Sequence, residues 1–270
     1  MDQSEQEQRL MSVLDRQVAC NSLDALISAL KPERSTIPLS ATAIGLDATA
    51  FLRIAGHRKG ADIVDYLSST HSAPLVLPGQ AIQEFWNNQL QVVYTVAATL
   101  RKQFNTFKES LEKVDRAFGE ELAQVGQLLT QFSAEHGHVY DEATVRNTVK
   151  LLEDLSRRAI IPYAPRLRYA ALAATRKATK TPPGFRDEGD GDFFVWVDLL
   201  TGLQKAQTQE NQFSRVVLVS LDKKVDWSRA GTAHPILVAE VQTLLAVPFE
   251  IWTIDRLSEE IAIATEGSAS

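Results

Sequence analysis

The sequence predicts an α/β fold, a three-layer core around a central, mostly parallel sheet. Three observations predict it. Short apolar runs alternate with helix-like stretches on both sides of the middle of the chain. One run, Val216-Val217-Leu218-Val219, is the β-branched type found in strands buried on both faces. Two of the runs end at a carboxylate, Asp47 and Asp222. Parallel sheets bind ligands beyond the C-terminal ends of their strands, so those two residues stand where chemistry is expected.

Residues 1–38 read as a helical extension. Leu10, Met11, Leu14 and Val18 form one stripe, and Leu23, Leu26, Ile27 and Leu30 form a second that Lys31-Pro32 ends. A single domain is expected over 39–265. It opens with a strand at Thr42–Asp47, a helix from Ala48 and a proline-bracketed strand at Pro74–Pro78. A helix from Gln80 then carries Glu84. A helical insertion is expected over 90–180. Apolar residues from Leu100 to Phe132 recur at spacings of three and four, which predicts an unusually long amphipathic helix. The polar loop around His136-Gly137-His138 breaks it, and Asp141 caps a second helix through Val145, Val149, Leu152 and Leu155. That stripe is longer than one partner helix of about 16 residues covers, so a second copy or another protein is expected on it. Thr181-Pro182-Pro183-Gly184-Phe185 is a strong break, followed by an acidic loop and a helix starting at Asp192. The clear strand ending at Ser220, a strand at Pro248–Ile254 and a final helix after Asp255 complete the chain.

Composition narrows the function. The 270 residues are 44% hydrophobic and 23% charged, ordinary for a globular protein and unlike a disordered one. No apolar run approaches the roughly 18 residues of a membrane span, and the polar segment Met1–Leu10 does not read as a secretory leader. The single cysteine, Cys20, allows neither an internal disulfide nor a cysteine-based zinc cluster, so a cytoplasmic protein is expected. The net charge of −6 argues against a generic polyanion binder, but it is unevenly spread. The segment from Lys150 to Lys180 carries +6, through Arg157, Arg158, Arg166, Arg168, Arg176 and Lys177 among others. Such a segment is able to seat a phosphate backbone, and equally able to be a solvated helix face.

The acidic residues carry the chemistry. Asp47 or Asp222 alone reads as a turn or capping residue. Glu84 on a helix and Asp192 at a helix start shift the balance toward a cluster of carboxylates on one edge of the sheet. Clustered carboxylates raise each other's pKa, and a chain tolerates that mainly where a divalent cation neutralises them. Oxygen ligands without cysteine point to Mg²⁺ or Mn²⁺.

Four segments then carry a resemblance: Gly45-Leu46-Asp47-Ala48-Thr49, Leu77-Pro78-Gly79 through Glu84-Phe85, Pro182-Pro183-Gly184-Phe185-Arg186-Asp187 through Gly191-Asp192 to Trp196, and Val219-Ser220-Leu221-Asp222 through Asp226-Trp227. Over residues 40 to 260 this order resembles the PIN-domain nucleases, in particular the larger bacterial PIN-like group with a helical insertion. The resemblance implies that Asp47, Glu84, Asp192 and Asp222 are catalytic metal ligands. Asp187 becomes a further ligand or an orienter, and Thr49, Ser220 and Asp226 become auxiliary residues. Ala48-Thr49 stands where these domains carry Thr-Asn, and Ser220 replaces their more common Thr. The implied activity is metal-dependent phosphodiester hydrolysis that leaves a 5′-phosphate and a 3′-hydroxyl. Three readings follow: an endoribonuclease, for instance a toxin or anti-phage defence effector; a structure-specific DNA nuclease; or a degenerate scaffold that binds a partner. RNA is preferred over DNA as the nucleic acid.

Overall fold

The computed structural model describes residues 2–30, 37–87, 103, 106–107, 109–110, 124, 127, 142–221 and 224–267. Residues 1–85 and 151–270 form one compact unit and residues 86–150 a second. Residues 151–180 therefore belong to the first unit. Of the stretch Leu100–Phe132 only seven positions are described, each helical, and the loop at His136–His138 lies outside the described residues.

In the first unit, α1 (Gln3–Leu14) and α2 (Ser22–Leu30) precede β1 (Thr42–Leu46). Then come α3 (Ala48–Ala55), α4 (Gly60–Asp65), β2 (Leu75–Val76) and α5, helical over 79–87. After α6 (Glu142–Ser156) follow α7 (Arg166–Ala178), α8 (Gly191–Thr208), β3 (Arg215–Val219) and the short β4 (Ser228–Arg229) and β5 (Thr232–Ala233). The chain ends with α9 (Pro235–Leu245), β6 (Phe249–Trp252) and α10 (Ile254–Gly267). The central sheet is wholly parallel, in the order β2-β1-β3-β6, with helices flanking it. This is the α/β architecture the sequence predicts, and the four expected strands form it.

The order places the site. From β1 the chain crosses to β2 on one side, and β3 then pairs on the other. The switch point therefore falls between β1 and β3, and it is beyond the strand ends at such a point that parallel α/β sheets bind their ligands. All five residues of β1 and all five of β3 are buried. Each fully buried aliphatic side chain there contributes about 1.5–3 kcal/mol, so these two strands anchor the sheet.

The two ends of the sheet differ chemically. At the N-terminal end Arg215 is buried, donates to Thr42 Oγ1 at 2.9 Å and to Glu250 Oε1 at 3.3 Å, and stacks 4.8 Å over Trp252. That cation is fully engaged and seals the end. At the C-terminal end the chain instead gathers partly buried carboxylates.

The two N-terminal helices turn their stripes differently. Leu10, Val13 and Leu14 of α1 face the core. The stripe Leu23, Leu26, Ile27 and Leu30 of α2 is exposed, and Ala25 is the buried residue where α2 packs against α9. A small side chain lets two helices approach closely, and the larger ones are turned outward.

One buried histidine gives the fold a pH dependence. His71 is 1% exposed and lies against the Tyr66 ring, 5.8 Å between centroids. Burial, aided by the Arg158 charge, lowers its pKa to about 4. The unfolded chain takes up this proton near pH 6.5 and the folded chain only near 4, so stability is expected to fall as pH drops through that window. The loss reaches on the order of 3 kcal/mol. Urea denaturation of the wild type and His71→Leu at pH 7 and pH 4.5 checks it: the wild type should lose more than the variant. Equal losses would contradict the assignment.

Candidate functional site

Asp47 directly follows β1, and Ser220 directly follows β3. The Asp47 amide donates to Val219 O at 3.1 Å, which extends the ladder and sets the two residues abreast. Asp47 Oδ2 accepts from Ser220 Oγ at 2.7 Å and from Thr49 Oγ1 at 2.9 Å, while Oδ1 accepts from the Ala48 amide at 2.7 Å. Thr49 Oγ1 also accepts from the Leu221 amide at 3.1 Å, tying the two strand ends together. Thr49 and Ser220 thus orient the Asp47 carboxylate.

Glu84 reaches the same edge from α5. Its Oε1 accepts from Gln80 Nε2 at 3.1 Å, one turn earlier on the helix. A Cβ on Gly191 would lie 2.2 Å from that oxygen, so only glycine at this position lets the carboxylate meet the N-terminus of α8. Partial positive charge at a helix start favours a carboxylate there. Burial nevertheless raises the Glu84 pKa, with Asp47 and Asp187 adding repulsion and Gln80 and Lys224 opposing it.

Asp192 lies in the first turn of α8. Its Oδ2 accepts from Trp227 Nε1 at 2.9 Å and from Lys224 Nζ at 3.1 Å. Lys224 Nζ also donates to Asp187 Oδ2 at 2.6 Å. Burial first, then the hydrogen bond with Asp187, raises the Asp192 pKa to about 7. Burial acts the same way on Asp187, but hydrogen bonds from Lys224 and Asp192 and the charges of Lys224 and Lys177 outweigh it, so its pKa is lowered.

The Pro-Pro-Gly-Phe break shapes the wall of this site. Gly184 has φ +83°, a left-handed conformation natural to glycine, and its amide donates to Asp226 Oδ2 at 3.0 Å. Asp226 is fully buried. It holds the loop whose Gly184 packs against Asp192.

The site brings together Asp47, Glu84, Asp187 and Asp192, with Thr49 and Ser220 as supports. Asp222 lies outside the described residues, and so does its separation from Asp47. The oxygen-only donor set fits a hard divalent cation. Among the described residues, no group of three or more His, Cys, Asp or Glu is spaced to hold a metal ion. The Lys224 ammonium lies between two of these carboxylates, Asp187 and Asp192.

Two residues escaped the sequence reading. Lys224 is one. Asp198 is the other, a fully buried carboxylate on α8 that accepts from the Gln80 and Ala164 amides, each at 2.8 Å, and from Arg166 at 2.9 and 3.0 Å. It fixes the start of α5, and with it Glu84. Its signal was its place on an apolar helix, where an unpaired carboxylate would be costly.

The basic segment is largely tied down. Arg176 is a correction to the expected nucleic-acid surface. It is buried, paired with Glu240 at 2.7 Å, and donates to Leu14 O and Pro182 O. Arg166 chelates Asp198 and stacks 4.6 Å from the Phe194 ring centroid. Arg168 pairs with Glu7, and Lys177 donates to the Glu188 and Gly189 carbonyls. Arg157 stays exposed beside Asp154, and Arg158 lies near Tyr66 and His71.

A family model described as a PIN like domain matches residues 166–239. The match covers Asp187, Asp192 and Lys224 through Trp227, and leaves Asp47 and Glu84 outside. No curated protein and no solved structure gives a significant match. Among the described residues, no helix is long and apolar enough to cross a membrane.

Proposed function

We propose that this chain, which carries a PIN-like domain, is a divalent-metal-dependent endoribonuclease. The observation that carries the reading is the gathering of Asp47, Glu84, Asp187 and Asp192 beyond the C-terminal ends of β1 and β3, where burial first, and neighbouring acids second, raise the pKa of Glu84 and Asp192. A chain has little reason to keep such a costly cluster except to hold a cation.

Asp47, Glu84 and Asp192 would hold Mg²⁺ or Mn²⁺, with Asp222 completing the set and Asp187 beside it. The ion, when bound, lowers the pKa of a water and neutralises charge on the phosphate. The chain's own residues orient that chemistry. The Ser220 and Thr49 hydroxyls fix Asp47, the Trp227 indole N–H fixes Asp192, and Gln80 fixes Glu84. The Ser220 hydroxyl donates to Asp47, which suits a support rather than a nucleophile. Water oxygen adds to phosphorus and the bond to the 3′-oxygen breaks, leaving a 5′-phosphate and a 3′-hydroxyl. Arg157 is the most available of the basic candidates for a phosphate backbone, with Arg158, Arg168 and Lys177 nearby in sequence. An interaction role for the insertion, with a second copy or another protein, is part of this proposal.

The test is cleavage of single-stranded RNA, single-stranded DNA and flap DNA with Mg²⁺, Mn²⁺ or EDTA. We expect RNA cleavage that EDTA abolishes, with 5′-phosphate products. Flap-specific DNA cleavage would move the assignment to a structure-specific nuclease. Cleavage of no substrate would leave a binding scaffold.

A further inference from the structure

The acidic site carries a cation of its own. Lys224 Nζ lies 2.6 Å from Asp187 Oδ2 and 3.1 Å from Asp192 Oδ2, and its charge also acts on Glu84. The lysine side chain is 37% exposed and that of Asp192 only 15%, so the ammonium enters from the solvent side and its partner is held inside. Trp227, three residues on, donates to the same Asp192 oxygen at 2.9 Å. One short segment therefore supplies both a neutral donor and a partly exposed charged one.

An ammonium is a compact point charge with three donors, and oxygens can surround it much as they surround a metal ion. It is a poor neighbour for one. A small divalent ion sits about 2.0–2.1 Å from its oxygens and takes their lone pairs. With such an ion on Asp192 Oδ2, Lys224 in its present place would face a like charge within hydrogen-bonding range of the same atom.

We propose that Lys224 is the built-in counter-cation of this site, and that its seat between Asp187 and Asp192 and occupancy by a divalent ion exclude each other. The inference rests on the metal-site reading above and adds a positioning residue to it. Lys224 neutralises the carboxylates in the metal-free protein and swings outward when the ion enters. It thereby sets the concentration at which the site fills.

The experiment is Mn²⁺ titration by calorimetry, with melting temperature measured in EDTA and in Mn²⁺, on the wild type, Lys224→Met and Lys224→Arg. Lys224→Met should bind Mn²⁺ at least about tenfold more tightly, because a competing positive charge is gone. It should melt lower than the wild type in EDTA and gain more from Mn²⁺. Lys224→Arg, which keeps the charge, should stay within a few-fold of the wild type. Should Lys224→Met fail to fold without metal, Lys224→Gln, which keeps a donor toward Asp192, takes its place. Wild-type Mn²⁺ binding that Lys224→Met matches or weakens overturns the exclusion and leaves the metal site standing. Absence of Mn²⁺ binding by the wild type and by every variant overturns both.

Discussion

Asp192→Asn is expected to reduce metal-dependent RNA cleavage by about a hundredfold or more, because it removes a ligand charge without changing shape. The same variant should keep its fold. Asp192 is buried enough that its pKa rises to about 7 even with Lys224 alongside, so its surroundings disfavour the charged form. An amide retains an oxygen for the Trp227 indole N–H and removes the repulsion from Asp187. At pH 8 the metal-free melting temperature should therefore be held or raised. Asp47→Asn and Glu84→Gln should lose activity in the same way. Activity assays on the folded variants check this. Wild-type cleavage, or unfolding of both Asp47→Asn and Asp192→Asn, would show that these are unrelated structural carboxylates.

Arg176→Met is expected to destabilise the protein by about 3–5 kcal/mol, the cost of leaving one member of a buried ion pair without its partner. Glu240 is fully buried and would keep only the Trp196 Nε1 hydrogen bond, at 2.8 Å. The carbonyls of Leu14 and Pro182 would also lose their donor. Arg157→Gln, on the exposed face of the same basic segment, should change stability by no more than about 0.5 kcal/mol. Replacing Glu240 by Met as well should recover much of the loss, since an apolar pair of similar volume needs no counter-charge. Urea denaturation of the three variants measures each effect. A loss under about 1 kcal/mol for Arg176→Met would return that residue to the surface.

These contrasts mark where sequence reading reached. The strands were legible because each is short, apolar and punctuated by proline, a turn or a carboxylate. Asp47 was legible as the residue that ends β1, and Asp192 as the acid at a helix start. Glu84 was legible only in company with them. Asp198 and Lys224 were not, because their meaning lies in partners far away in sequence: Asp198 binds the Gln80 amide across 118 positions, and Lys224 bridges Asp187 and Asp192 across 37 and 32. Arg176 misled for the same reason. Its charge suggested solvent, and the Glu240 that draws it inward lies 64 residues on, in another helix. The apolar stripe of α2 was legible as a face, but helical spacing does not reveal which way a face turns.

The most direct test of the account is an anomalous difference map from crystals soaked in Mn²⁺. The account predicts a peak at the crevice between β1 and β3, within ligand distance of Asp47, Glu84 and Asp192, with the Lys224 ammonium moved away from Asp192. A peak elsewhere, or an empty crevice with Lys224 still between Asp187 and Asp192 at saturating Mn²⁺, would contradict it.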